Sequence, residues 1–135
     1  ALGDHMLDKP GNAENAHAQL AALSGNTARF YTGCALVGYE AQLELQHLDV
    51  TSVTFRSLTA AEIAHYVASE QPFDCAGASK LEGLGIALLN RIDGVDPTAL
   101  IGLPLIWLAG ALRAAGWRPG DPALEPAPQA RAHLR

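Results

Sequence analysis

The sequence predicts a layered domain of the α/β or α+β class, built on a mixed sheet. Three stretches carry that expectation. Arg29 to Val37 is nearly continuous in apolar and β-prone residues, and Gln42 to His47 alternates polar with apolar. Leu58 to Ile63 opens a helix in which Thr59 and Glu62 match a capping box. Strands and helices therefore interleave within 135 residues, one domain's worth of chain and enough to bury a core.

The first element follows Lys9-Pro10, where the proline forces the lysine into an extended conformation at a strand end or loop. Asn12 is suited to cap a helix, with Glu14 favourable in its first turn. Ala13, Ala16, Leu20 and Leu23 recur at helical spacing, and Gly25 supplies the stop. The run Arg29–Val37 suits a strand covered on both faces. Gly38-Tyr39-Glu40 turns the chain into a second strand, whose alternation slips near Leu48 and resumes at Val53 and Phe55, the pattern of one long strand with a bulge. The helix begun at Thr59 buries Ile63, Tyr66 and Val67 and ends before Pro72. Ile86 to Ile92 reads as a strand closed by Asp93-Gly94. Asp96-Pro97 starts a short helical piece, and Pro104 starts the last helix, with Leu105, Leu108, Ala109 and Leu112 as its buried stripe and Gly116 as its end. From Pro119 the chain is rich in proline and alanine without periodicity, which predicts a disordered tail over 119–135 behind a domain of residues 1–118.

Composition narrows the function. A net charge of −5 argues against a nucleic-acid partner or an acidic membrane surface, but not against a small anionic ligand held by local cations. The apolar run Ala99–Leu112 is broken by Gly102, Pro104 and Gly110 and falls short of a membrane span. No basic stretch followed by an apolar run opens the chain, so no signal peptide is expected. Cys34 and Cys75 are too few for a disulfide framework, which suits a reducing, cytoplasmic setting.

The stretch richest in chemistry is Pro72 to Gly85, with three glycines, one of the chain's two lysines, and the carboxylates Asp74 and Glu82. Glycines let backbone approach a ligand closely or adopt positive φ. Lys80 and Glu82 flank Leu81, so an extended backbone would present both on one side. A cation beside an anion suits a ligand with a phosphate end and a hydrogen-bonding end. A structural loop with solvated charges fits the same residues, and the residues alone leave both readings open. His5, His17, His47 and His65 have no metal-ligand spacing and are expected at the surface.

Several segments, in order, resemble the Maf family of nucleotide pyrophosphatases. They are Lys9-Pro10, Leu23-Ser24-Gly25, Phe30-Tyr31-Thr32-Gly33, Val53 to Leu58, Glu62-Ile63 with Tyr66-Val67, Asp74-Cys75-Ala76-Gly77, Glu82-Gly83-Leu84-Gly85, and Ile101 to Leu105. Within that family, Cys75 to Gly83 looks like the branch acting on 7-methyl-GTP, since the branch acting on dTTP and UTP usually carries glutamine where this chain has Glu82.

The resemblance implies a cytoplasmic enzyme that splits a nucleoside triphosphate into monophosphate and pyrophosphate with a divalent metal, Mg or Mn. It implies a twisted mixed sheet flanked by helices. It also implies that Lys9 holds phosphate oxygens, that Glu82 and Lys80 set substrate specificity, and that Lys80 either touches phosphate or balances Glu82. Arg56 is expected to be structural and Asp74 to cap its loop. The aspartate that the family pattern makes the general base would precede Ala1, so the chain is expected to be the C-terminal portion of such an enzyme, inactive alone and self-associating or dimeric through an unpaired edge. A non-catalytic nucleotide-binding or regulatory module is the alternative.

Overall fold

The computed structural model describes residues 1–39, 42–118, 120 and 130–131. The elements in order are α1 (Ala13–Leu23), β1 (Thr27–Gly38), β2 (Leu43–Phe55), α2 (Ala60–Glu70), β3 (Leu89–Asp93), α3 (Leu105–Ala114) and β4 (Ala130–Arg131), with short 3-10 turns at Ala76–Ala78, Leu84–Leu88 and Pro97–Ile101. The strands are ordered β3-β2-β1-β4. The α/β class holds. The sheet, expected to be mixed, shows antiparallel pairing of β3 on β2 and of β4 on β1 among the described residues. The short connection from β1 to β2 suits a hairpin, whereas parallel neighbours need a crossover of a dozen residues or more. Apart from Gly120 and β4, the tail expected from Pro119 lies outside the described residues.

The chain divides into two units, Ala1–Phe30 with Ser52–Asp93, and Tyr31–Thr51 with Gly94–Arg135. In the first, Asn12 caps α1 by accepting the Asn15 N–H at 2.9 Å, and Gly25 takes φ +70° just beyond its end. The capping box of α2 is closed both ways: Thr59 accepts the Glu62 N–H at 3.1 Å, and Glu62 accepts the Thr59 N–H at 2.9 Å. Gln71, in the left-handed region, stops α2 before Pro72. Leu20 and Leu23 of α1, Val53 and Phe55 of β2, and Ile63 and Val67 of α2 are buried. Each such side chain contributes about 1.5–3 kcal/mol.

The strand expected over Ile86–Ile92 is shorter. Residues Leu84–Leu88 form a 3-10 turn, and β3 begins only at Leu89. A strand from Ile86 would need the chain to leave the glycine loop extended. Instead the Gly83 and Gly85 N–H groups both donate to the Lys80 carbonyl, at 3.2 and 3.0 Å. The coil this imposes carries through Leu88.

The second unit explains the apparent slip in β2. Burial alternates without interruption along the strand, so the side-chain phase does not slip at Leu48. The inward positions are polar: Asp49 and Thr51 are buried, and the Thr51 hydroxyl donates to Asp49 at 3.1 Å. Leu48 and Val50 point outward and are exposed. The register shift that does occur lies between Thr54 and Phe55, opposite β3. β1 buries one face, including Thr32, Cys34 and Leu36, while its other face is only partly covered.

His47 was expected at the surface but packs face to face on Trp107 at 5.1 Å, with Asp49 at 3.7 Å. That stack sets the rotation of α3. Leu108 and Leu112 are half-buried and Ala111 is buried, whereas Leu105 and Ala109, both expected inside, are exposed. The Asp96 carboxylate ties the 3-10 turn to α3, accepting the Thr98 N–H and hydroxyl and, at 2.7 Å, the Ile106 N–H. Among the described residues no helix is long and apolar enough to cross a membrane.

Candidate functional site

The candidate residues lie in the first unit, on two segments that α1 and α2 hold. Asn15 and Gln19, one turn apart on α1, donate to the Pro10 and Asp8 carbonyls at 3.0 and 2.9 Å. The Gly11 N–H donates to the Phe73 carbonyl at 3.0 Å, fastening this segment to the loop after α2. Lys9 therefore projects, exposed, from a backbone fixed on both sides.

Helix α2 holds the second segment through two side chains four residues apart. The Tyr66 hydroxyl donates to the Ala78 carbonyl and accepts the Lys80 N–H, both at 2.7 Å. Ala78 is a non-glycine residue at φ +55° and wholly buried, so this bond secures a strained backbone at a cost of about 1–2 kcal/mol. Burial pushes the Tyr66 phenol up to about 12, against the pull of the Lys80 N–H.

Glu70, one turn further along α2, accepts the Leu84 N–H at 2.8 Å and pairs with the Lys80 ammonium at 3.6 Å. Gly83 is the close approach that permits this: a Cβ there would stand 2.6 Å from a Glu70 carboxylate oxygen. Gly85 is as tightly placed, since its Cβ would meet the Lys80 carbonyl at 2.3 Å. The turn is thus coiled, not extended as the alternation of Lys80 and Glu82 suggested.

Lys80 balances Glu70, not Glu82. Glu82 is exposed and makes no hydrogen bond or ion pair to the described residues. Half-buried Cys75 lies within electrostatic reach of Lys80, Asp74, Glu82 and Lys9. Burial pushes that thiol up, Lys80 and Lys9 pull it down, and Asp74 and Glu82 push it up again. Asp74, expected to cap the loop, makes no side-chain hydrogen bond among the described residues. Arg56 acts through its backbone, its N–H on the Leu88 carbonyl and its C=O on the Gly25 N–H. A cleft of about 240 Å³ opens beside the loop between Arg56, Leu58, His65 and Leu84, and neither lysine nor Glu82 lines it.

Sequence reasoning missed Glu70 and the Tyr66 hydroxyl. Tyr66 was read as core, correctly, but its polar end signalled nothing in a one-dimensional pattern. Glu70 stands at the end of an amphipathic helix, where a carboxylate reads as solvated.

Residues 1–115 match the family described as Maf-like protein. The chain belongs to the Maf-like family. Among its relatives, a 7-methyl-GTP pyrophosphatase of Xanthomonas oryzae pv. oryzae is 53% identical over 116 residues, covering 86% of this chain and 60% of the relative. Proteins of the same name from Polaromonas sp. and Idiomarina loihiensis are 52% and 50% identical, covering 82% and 85% of this chain and 50% and 58% of their own lengths. The Maf-like chain thus spans about half to three-fifths of the curated relatives it matches.

The divalent metal that the resemblance implies calls for several oxygen or nitrogen ligands close together. Among the described residues no three His, Cys, Asp or Glu side chains converge to hold one. The described residues do not by themselves form a resident metal site.

Proposed function

We propose that this Maf-like chain is the base-reading part of a nucleoside triphosphate pyrophosphatase acting on 7-methyl-GTP or a similarly modified nucleotide. One observation carries the reading. Glu82 stands uncommitted and exposed on a turn that Glu70 and Tyr66 hold in place. A carboxylate carried on a held turn, with no partner among the described residues, is suited to a ligand. The names of the relatives support the same assignment.

The chemistry of the base fits that carboxylate. Methylation at N7 gives guanine a positive charge, and its edge offers two donors, N1–H and the 2-amino group. A carboxylate accepts both and compensates the charge, whereas a glutamine presents one acceptor and one donor. Lys9 supplies a point charge for phosphate oxygens, and Lys80 a second one at the edge of the loop. The nucleotide brings its own magnesium ion on its phosphates.

In the reaction, a water oxygen bonds to the α-phosphorus and gives up a proton to a base, the bond from that phosphorus to the bridging oxygen breaks, and pyrophosphate leaves. The cations oppose the charge that develops on the phosphate oxygens. No residue here is assigned the role of general base. The free thiols Cys34 and Cys75 suit the cytoplasm.

Product analysis tests the reading in a protein that carries these residues over the full length of its relatives. 7-methyl-GMP and pyrophosphate are expected from 7-methyl-GTP. 7-methyl-GDP and phosphate would contradict attack at the α-phosphorus, and tight binding without turnover would favour the non-catalytic module.

A further inference from the structure

We infer that Glu70 is a positioning residue that keeps Lys80 away from Glu82, and so leaves the charge of Glu82 uncompensated. The inference rests on the base-reading role proposed for Glu82.

Lys80 and Glu82 are separated by one residue within a tight turn, and both act on the Cys75 thiol. A flexible four-carbon stem lets an ammonium choose between neighbouring carboxylates. Here it lies 3.6 Å from Glu70, whose side chain is 18% exposed against 48% for Lys80. Glu70 is the better partner because its other bond, to the Leu84 N–H, already fixes it. Pairing with a carboxylate held in place orders fewer free torsions than pairing with a solvated one. Glu82 therefore meets a ligand with its charge intact, which favours a cationic purine over a neutral one. Glu70 need not touch the ligand.

Removing the Glu70 charge should release Lys80 to Glu82 and weaken that preference. The experiment measures affinity for 7-methyl-GTP and GTP by calorimetry in the wild-type chain and in Glu70→Gln, Lys80→Met, Glu70→Gln/Lys80→Met and Glu82→Gln. Contacts to phosphate are common to both nucleotides and cancel in the ratio of affinities. Glutamine at 70 can still accept the Leu84 N–H, and amide exchange at Leu84 checks that the turn persists.

The ratio should fall about two- to fivefold in Glu70→Gln, the range an exposed pair can shift. It should return to the wild-type value in the double variant, because Lys80 is no longer there to compete. Lys80→Met, which keeps the Glu70 clamp, should hold the ratio at or above wild type. A fall in Glu70→Gln that the second substitution does not rescue, or a fall in Lys80→Met, would overturn the inference. An unchanged ratio in Glu70→Gln beside a large fall in Glu82→Gln would overturn it while leaving the base-reading role intact. An unchanged ratio in Glu82→Gln would instead remove that role itself.

Discussion

The Tyr66 hydroxyl joins the Ala78 carbonyl to the Lys80 N–H, with both bonds at 2.7 Å, so a single buried atom on α2 closes the loop that carries Glu82. Replacing Tyr66 with phenylalanine keeps the ring in the core but strands a buried carbonyl and a part-buried amide. The expected loss is about 1–3 kcal/mol, read from urea midpoints with an unchanged slope. A loss within about 0.5 kcal/mol, the range of a neutral surface change, would show that the loop is held elsewhere.

The same hydroxyl predicts alkaline behaviour. Its folded value of about 12 lies above the ordinary 10.0, so the unfolded phenol ionises first as pH rises. Its contribution is constant below pH 10 and is lost between 10 and about 12, by about 2–3 kcal/mol in all. Tyr66→Phe should lack that share of the alkaline decline, which denaturant curves across this range would reveal.

Asp96 gives the opposite limb. Burial opposes its charge, yet the Thr98 hydroxyl, the Ile106 and Thr98 N–H groups and nearby His47 hold its carboxyl below the ordinary 3.8. The stabilisation is complete above that value and is lost as pH falls through the lowered folded one. Asp96→Asn offers one acceptor where two oxygens are in use, and should cost about 1.5–3 kcal/mol at neutral pH. The gap between the two proteins should close in acid, and a gap independent of pH would contradict the charge argument.

How much of this was legible depended on whether the information was local. The caps at Asn12 and Thr59 were legible because a side chain three residues from its partner amide is a sequence pattern. The polar interior of β2 was not, since Asp49 and Thr51 bury with a bond to each other, and the alternation of hydropathy therefore misreports the backbone. The rotation of α3 follows from the stack of Trp107 on His47, residues far apart in sequence. In the site, the motif named Lys9, Lys80 and Glu82, but the partner of Lys80 is ten residues back on α2, chosen by a turn that Gly83 and Gly85 permit.

Cys75 offers a probe of where nucleotide binds. Cys34 is buried, so alkylation near neutral pH should fall on Cys75, and slowly, because burial keeps its thiol protonated. Saturating 7-methyl-GTP should slow it further by covering the loop. Peptide mapping of the label identifies the site, and a rate indifferent to nucleotide would place binding away from Cys75.

The central claim is that Glu82 reads the base, and Glu82→Gln tests it most directly. The measurement is the ratio of affinities for 7-methyl-GTP and GTP, with thermal unfolding as a check that the fold persists. Losing a charge-assisted bond costs about 1.5–3 kcal/mol, or roughly 10- to 150-fold. Affinity should fall for both nucleotides, which share N1–H and the 2-amino group, and at least about tenfold further for the methylated one, whose positive charge only the carboxylate compensates. An unchanged ratio, or an equal loss on both nucleotides in a folded protein, would contradict the account.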